Sequence, residues 1–252
     1  MPERPALMAF DLDDTLAPSK APLPDPVRDA LRRLLAVTQV CVISGGQIEQ
    51  FRTQLVGRLG DLSDELADRL HLMPTCGTQY WRIEGGDLRC VYAEDLTDDE
   101  KSRAMSAVET EAKLLGLWES ETWGPALEDR GSQITFSALG QQAPLDAKKA
   151  WDPTGDKKNR LRKAVQAELP DLEVRSGGST SVDITRQGID KAYGMRRLSE
   201  LTGVAFEDTL FVGDRLDPDG NDYPVKALGV PSVAVESWED TVRVIDGVTA
   251  AF

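Results

Sequence analysis

Three apolar runs without alternation restrict the folds open to this chain. "ALMAF" (6–10), "QVCVI" (39–43) and "TLFVG" (209–213) each end in a small polar cluster, and amphipathic stretches lie between them. A run that is apolar at every position is buried on both faces, as the strands of a parallel sheet covered by helices are. "PDPVRDALRRLL" places Val27, Leu31, Leu34 and Leu35 at helical spacing, with Asp25 as an N-cap before a first-turn proline, Pro26. "QIEQFRTQLVGRL" sets Ile48, Phe51, Leu55 and Leu59 on one helical face, and "LHLMPT" reads as a further strand. Strand–helix alternation of this kind is that of an α/β, doubly wound parallel sheet.

The alternation stops near residue 84. "YWRIEGGDLRCVY" reads as a hairpin turning at Gly85-Gly86-Asp87, and "TDDEKSRAMSAVETEAKLLG" as a helix opened by a capping box from Thr97 to Glu100. "SQITFSAL" alternates like a half-buried antiparallel strand, a polar stretch runs from Gln141 to Asn159, and "LEVRSGGSTSVDIT" supplies two short strands. Alternation resumes with "KAYGMRRLSELTG", "TLFVGD", "YPVKALG", "SVAVES" and "WEDTVRVIDGV". The expected organisation is a core of residues 1–83 and 187–252 with an inserted α+β cap domain, residues 84–186.

Composition narrows the chemistry. The chain of 252 residues carries a formal charge of −14, which disfavours nucleic acid as a partner. No apolar stretch approaches a membrane span, and the first residues lack the layout of a signal peptide, so a cytoplasmic location without membrane contact is expected. Three scattered cysteines, Cys41, Cys76 and Cys90, read as reduced, with Cys41 in the core. His71 is the only histidine and lies inside a strand pattern; it is read as structural, which leaves no Ser-His-Asp triad or histidine-rich zinc site.

Polar residues gather where strands end or adjacent helices begin: Asp11, Asp13, Asp14 and Thr15; Ser44-Gly45-Gly46; Lys191; and Gly213-Asp214 through Asn221-Asp222. Open α/β sheets bind ligands at the carboxyl ends of their strands. Carboxylates from two strand ends can share a divalent cation, and an oxygen donor set suits Mg²⁺ better than Zn²⁺. The same residue types serve phosphoryl transfer. One carboxylate can take the phosphoryl group, a second can move the proton, a hydroxyl and backbone N–H groups can hold phosphate oxygens, and a lysine can offset their charge.

D-x-D-x-T after a strand, Ser44 after another, Lys191, and G-D-x(6)-N-D after a third strand resemble, in order, the four signatures of the haloacid dehalogenase-like phosphotransferases. The resemblance implies a Rossmann-like core, Asp11 as nucleophile, Asp13 as general acid/base, Ser44 and Gly45 on the phosphate, and Lys191 orienting it. It also implies Mg²⁺ held by Asp11, the carbonyl of Asp13 and Asp214, with Asp222 close to the metal. The insertion is similar to the cap of the Cof-type (IIB) branch, and "RSGGSTSVDI", "GIDKAYGM" and "GDRLDPDGNDY" are most similar to eukaryotic-type phosphomannomutases. That similarity implies that Ser181 and Asp183 meet sugar hydroxyls and that Lys20 and Arg130 help place an anionic substrate.

Two departures stand out. Where the mutases carry phosphate-holding arginines in the cap, an ungapped count from Arg130 gives Gln141 and Lys148, neither of which offers a guanidinium fork. Asp14 replaces a usual glycine. The expected activity is hydrolysis of a small phosphorylated metabolite, a sugar phosphate above all, through an aspartyl-phosphate. A phosphohexomutase and a non-catalytic sugar-phosphate-binding module are the alternatives, and a homodimer is one state open to the chain. "DPDGND" is not a calcium loop: counted from Asp217, glycine falls at position 4 and Leu228 at position 12.

Overall fold

A computed structural model describes residues 2–252 as two compact units, one running through Ala93 and resuming over Asp190–Phe252, the other Glu94–Ile189. In the first unit the elements in chain order are β1 (Leu7–Phe10), α1 (Asp25–Leu35), β2 (Gln39–Ile43), α2 (Ile48–Gln50), a π-helix (Phe51–Val56), α3 (Gly57–Leu59), α4 (Asp64–Ala67), β3 (Leu70–Met73), β4 (Gln79–Glu84) and β5 (Asp87–Ala93). The second unit holds α5 (Asp98–Leu114), β6 (Leu127–Asp129), β7 (Ile134–Ser137), α6 (Leu145–Trp151), α7 (Asp156–Glu168), β8 (Leu172–Ser176) and β9 (Ser181–Arg186). The first unit then closes with α8 (Lys191–Thr202), β10 (Thr209–Gly213), α9 (Tyr223–Ala227), β11 (Ser232–Ala234) and α10 (Trp238–Thr249).

The first unit's sheet has the order β11-β10-β1-β2-β3-β4-β5, parallel from β11 to β3 and antiparallel at β3–β4–β5. The apolar runs are buried at every position in β1 and β10 and from Val40 onward in β2. One face packs Met8, Phe10, Val40 and Val42 under α1 and α10; the other packs Ala9, Cys41, Ile43 and Phe211 under α8. The cap begins later than the sequence implies. The second hairpin strand, β5, pairs along β4 and extends the core sheet, so residues 84–93 stay with the core and the change of unit falls after Ala93. Antiparallel pairing across a two-residue turn needs no crossover helix, so the hairpin adds to the sheet's edge directly.

Local corrections follow from hydrogen bonding. Asp25 is the first helical residue of α1 and Pro24 the cap; the Asp25 carboxylate pairs instead with Arg28 and Arg58. The helix after β2 widens into a π-turn over Phe51–Val56, which turns Gln54 inward beside Leu55, and the Leu23 amide donates to the Gln54 carbonyl at 2.9 Å. In the second unit the Thr97–Glu100 capping box forms in both directions, and α6 occupies part of the stretch read as merely polar. That unit's sheet, β6-β7-β9-β8, is antiparallel, with Phe136, Val174, Val182 and Ile184 buried among Ala104, Val108, Leu161 and Val165 of α5 and α7. Among the described residues, no helix is long and apolar enough to cross a membrane.

Candidate active site

Register brings the first carboxylates together. Phe10 of β1 lies opposite Val212 of β10, and the Asp11 amide still donates to the Val212 carbonyl at 3.0 Å. The two chains therefore leave the sheet side by side and carry Asp11 and Asp214 with them. Asp222 reaches the same place from the start of α9, because Gly213 has no side chain: a Cβ there would stand 2.7 Å from the Asp222 Cγ. Lys191 opens α8, capped by Asp190, whose carboxylate accepts from the Tyr193 amide at 2.9 Å. Its ammonium lies 2.5 Å from Asp11 Oδ1 and 2.5 Å from Asp222 Oδ1, and the side chain is 1% exposed.

The position of Lys191 depends on a close approach. α8 crosses the turn after β3 at Gly194 and Gly77, where a Cβ on Gly77 would lie 2.5 Å from the Gly194 Cα. Only hydrogen at both positions allows this spacing.

Negative charge exceeds positive in this cluster. One oxygen from each of Asp11, Asp214 and Asp222 lies within 4.8 Å of the others, and the Lys191 ammonium pairs with Asp11 and Asp222. Burial, aided by Asp222 and Asp214, outweighs Lys191 and pushes the Asp11 carboxyl up to about 7. Burial, with Asp222, also raises Asp214. Burial opposes the Lys191 ammonium, yet Asp11 and then Asp222 raise it above its ordinary value. Excess charge on an all-oxygen donor set fits a hard divalent cation, which Asp11 and Asp214 could hold through their side chains. Asp222 is differently placed: Lys191 takes Oδ1 and the Arg215 amide donates to Oδ2 at 3.0 Å. Thr15 Oγ1 stands 3.4 Å from both Asp11 Oδ2 and Asp214 Oδ1.

Ser44 follows β2, the other neighbour of β1. It is buried, its amide donates to the Met73 carbonyl, and its Oγ accepts from the Gly46 amide at 3.1 Å. The Cys76 amide ties the turn after β3 to the Ser44 carbonyl at 2.9 Å. The loop from Ser44 to Gly46 is thus fixed from both sides.

Asp13 has its own set of partners, separate from those of the Lys191 cluster. Its Oδ1 accepts from the Lys20 amide at 2.8 Å and Gln54 Nε2 at 3.3 Å, and its Oδ2 from Gln50 Nε2 at 2.8 Å. Burial opposes the charged form, but the Lys20 ammonium, 3.6 Å away, and these hydrogen bonds hold the carboxyl below the usual carboxylate range. Asp14 occupies the left-handed region at φ 63°, which explains why glycine is usual there; its amide donates to the Ala17 carbonyl and its carboxylate accepts from the Ser19 amide. Gln50 and Gln54 were not legible as site residues, since a π-turn is what points Gln54 inward.

The polar residues singled out in the second unit fall into two short hydrogen-bond chains on a sheet face, with Arg130 paired separately. β9 alternates Val182 and Ile184 into the core with Ser181 and Asp183 outward. Ser181 Oγ shares a hydrogen bond with Ser137 Oγ at 2.8 Å, and Asp183 Oδ1 accepts from Thr135 Oγ1 at 2.8 Å. Gln141 Nε2 donates to Ser137 Oγ, and Lys148 Nζ donates to the Gln141 carbonyl. Arg130 is turned onto Glu128, 2.8 Å from its Oε2.

His71 is structural in its setting. Arg82 Nη1, which can only donate, faces its Nδ1 at 3.1 Å, so Nε2 carries the proton toward Gln39 Oε1 at 2.9 Å. Burial and then the Arg82 charge push the imidazole down to about 3. Cys41 is buried, and burial raises its thiol.

The chain is similar in sequence and in fold to known proteins. The sequence model of eukaryotic phosphomannomutase matches residues 118–250, more than half of the chain. The phosphomannomutase of Saccharomyces cerevisiae is 26% identical over 254 residues, covering 96% of this chain and 94% of the yeast protein. Among solved structures, the Plasmodium falciparum IMP-nucleotidase superposes with a TM-score of 0.75 at 14% identity, covering 99% of this chain and 69% of that one. A haloacid dehalogenase-like hydrolase from Bacteroides thetaiotaomicron superposes at 0.66 and 15% identity, covering 99% and 100%. The haloacid dehalogenase-like hydrolase shares the fold, and the chain itself belongs to the eukaryotic phosphomannomutase family.

Proposed function

We propose that this protein is a Mg²⁺-dependent phosphohydrolase that cleaves a sugar phosphate through a phosphoryl group carried on Asp11. The observation that supports it most is the buried Asp11 carboxylate held at 2.5 Å by an ammonium beside two further carboxylates. Asp11 attacks phosphorus while Asp13, ionised at rest and protonated only transiently from solvent, passes a proton to the departing sugar oxygen; water then attacks, Asp13 takes its proton, and Asp11 is released as carboxylate. Lys191 offsets charge on the transferring group, and Ser44 Oγ with the Gly45 amide binds its oxygens. Mg²⁺, held by Asp11, Asp214 and the Asp13 carbonyl with Asp222 beside it, would supply further neutralisation of the phosphate oxygens. Lys20 and Arg130 would steer the anionic substrate, and Ser181 and Asp183 would meet its hydroxyls.

Family membership favours a second reading, a phosphohexomutase. The hydrolytic reading is preferred because an ungapped count from Arg130 puts Gln141 and Lys148 at the positions of the mutases' arginines, and both are engaged in the cap's own hydrogen bonds. A mutase must grip two phosphates in turn; an amide and a point charge do this less well than guanidinium forks. Incubation with mannose 1-phosphate, Mg²⁺ and a trace of hexose 1,6-bisphosphate separates the two. Release of inorganic phosphate is expected; isomerisation without release would replace hydrolase by mutase. Asp11→Asn should abolish turnover while leaving the melting temperature within a few degrees, and an active variant would end both readings.

A further inference from the structure

The strongest arrangement outside the Lys191 cluster is the pair of amides on Asp13. Lys20 Nζ can only donate and the Asp13 carboxylate can only accept, so the Gln50 amide has one orientation. Its Oε1 accepts from Lys20 Nζ at 2.7 Å, and its Nε2 donates to Asp13 Oδ2 at 2.8 Å and to Gln54 Oε1 at 2.9 Å. Gln54, 3% exposed, then has its Nε2 free to donate to Asp13 Oδ1. The π-turn is what lets these side chains converge on one carboxylate. A second observation ties Gln50 to the Ser44 loop: a Cβ on Gly46 would collide with Gln50 Oε1 and lie 2.8 Å from its Cδ, so the second glycine of "SGG" leaves room for this amide.

Counting acceptor sites distinguishes the two carboxylate oxygens. Oδ1 has both lone pairs taken, by the Lys20 amide and by Gln54. Oδ2 accepts one, from Gln50, and its second acceptor site carries no hydrogen bond, with the Lys20 ammonium standing 3.6 Å off. We infer that Gln50 is a positioning residue for Asp13, fixing Oδ2 as the oxygen that receives the proton when water attacks the phosphoryl group on Asp11. In that step the water oxygen bonds to phosphorus, the bond from phosphorus to the Asp11 oxygen breaks with its electron pair left on Asp11, and the water proton passes to Asp13 Oδ2. The inference rests on the hydrolytic reading above and goes beyond it by assigning the proton-accepting atom and the group that aims it.

The two halves of the reaction depend on Gln50 unequally. Forming the phosphoenzyme from p-nitrophenyl phosphate needs no proton from Asp13, because nitrophenolate leaves unaided; breaking it down needs Asp13 as a base. Rapid-quench measurement with ³²P-labelled p-nitrophenyl phosphate and Mg²⁺ gives both rates on the full chain. In Gln50→Leu, phosphoenzyme decay should slow by about tenfold or more, the range expected for losing a hydrogen bond to a charged group, while formation keeps the wild-type rate. Gln50→Asn, whose arm is one methylene short, should show the same split and guards against a folding defect in the leucine variant. A merely structural role for Gln50 lowers both rates together, and that result, or two unchanged rates, overturns the inference. Asp11→Asn should trap no phosphoenzyme; label retained there would instead overturn the nucleophile assignment on which the inference rests.

Discussion

Gly194→Ala sets two physical effects of opposite sign against each other at one atom. In the interior of α8, replacing glycine with alanine should stabilise the helix by about 1 kcal/mol. The new methyl, however, would lie 2.6 Å from the Cys76 carbonyl oxygen and closer still to Ile43 Cδ1. Ile43 is fully buried in β2 and has no space to turn into, and the Cys76 carbonyl is backbone. Restoring an ordinary carbon–oxygen contact requires α8 and the turn to separate by roughly 0.7 Å, an overpacking that costs about 1–3 kcal/mol. With one partner fixed in the backbone the upper half of that range applies, leaving a net loss of about 1–2 kcal/mol. For a chain of this size that is a fall of roughly 2–8 °C in melting temperature. Lys191 lies one turn before Gly194, so the same displacement stretches its two 2.5 Å contacts beyond 3 Å. Misplacement on this scale costs on the order of 10–100-fold in kcat. Gly247 in α10 supplies the control: nothing lies within 4 Å of a Cβ there, so Gly247→Ala should raise the melting temperature by roughly 2–4 °C. Differential scanning fluorimetry and a phosphate-release assay read both quantities. If Gly194→Ala is stabilised like Gly247→Ala and keeps its kcat, the close approach of α8 to the Cys76 turn does not position Lys191.

Two other outcomes are expected. The imidazole of His71 is held down to about 3, below its unfolded value of about 6.5, so its contribution to stability is fully present above about pH 6.5 and is lost as pH falls toward 3. Asp11, raised in the fold, acts in the opposite direction between about pH 7 and 4, so the variant must be compared with wild type at each pH. The destabilisation caused by His71→Gln should shrink by about 1.4 kcal/mol between pH 7.5 and 5.5, or roughly 3–6 °C; parallel melting curves for the two proteins would contradict the buried neutral imidazole. Mg²⁺ at one hundred times its dissociation constant should stabilise wild type by about 2.7 kcal/mol, and Asp214→Asn should lose most of that increment, whereas an equal Mg²⁺ response in both proteins would remove Asp214 from the ligand set.

The strands of the parallel sheet were legible because a strand covered on both faces has no reason to alternate, and "ALMAF" and "TLFVG" do not. Asp11, Lys191, Asp214 and Asp222 could be grouped for a related reason: a parallel sheet carries its strand-end loops to one edge, whatever their separation along the chain. The hairpin boundary could not be read the same way. β5 alternates no more clearly than a cap strand would, and only its pairing with β4 assigns it to the core. Gln50 and Gln54 were hidden for a geometric reason, since a regular helix over Ile48–Leu59 accounts for Phe51 and Leu55 equally well and gives no sign of the widened turn. Asp14 illustrates the reverse case, a residue that looked anomalous beside its relatives until its left-handed backbone accounted for the preference it departs from.

The place of β1 inside the core sheet, between β10 and β2, has a consequence for biosynthesis. Its neighbour on one side, β2, follows within a few dozen residues, but β10 on the other side emerges only after the whole of Glu94–Ile189 has been translated. The inserted unit draws its four strands from one contiguous stretch and can close its own sheet during translation. The nascent amino-terminal third must meanwhile wait with one backbone edge of this interior strand unpaired, an interval in which that edge is open to pairing with other chains.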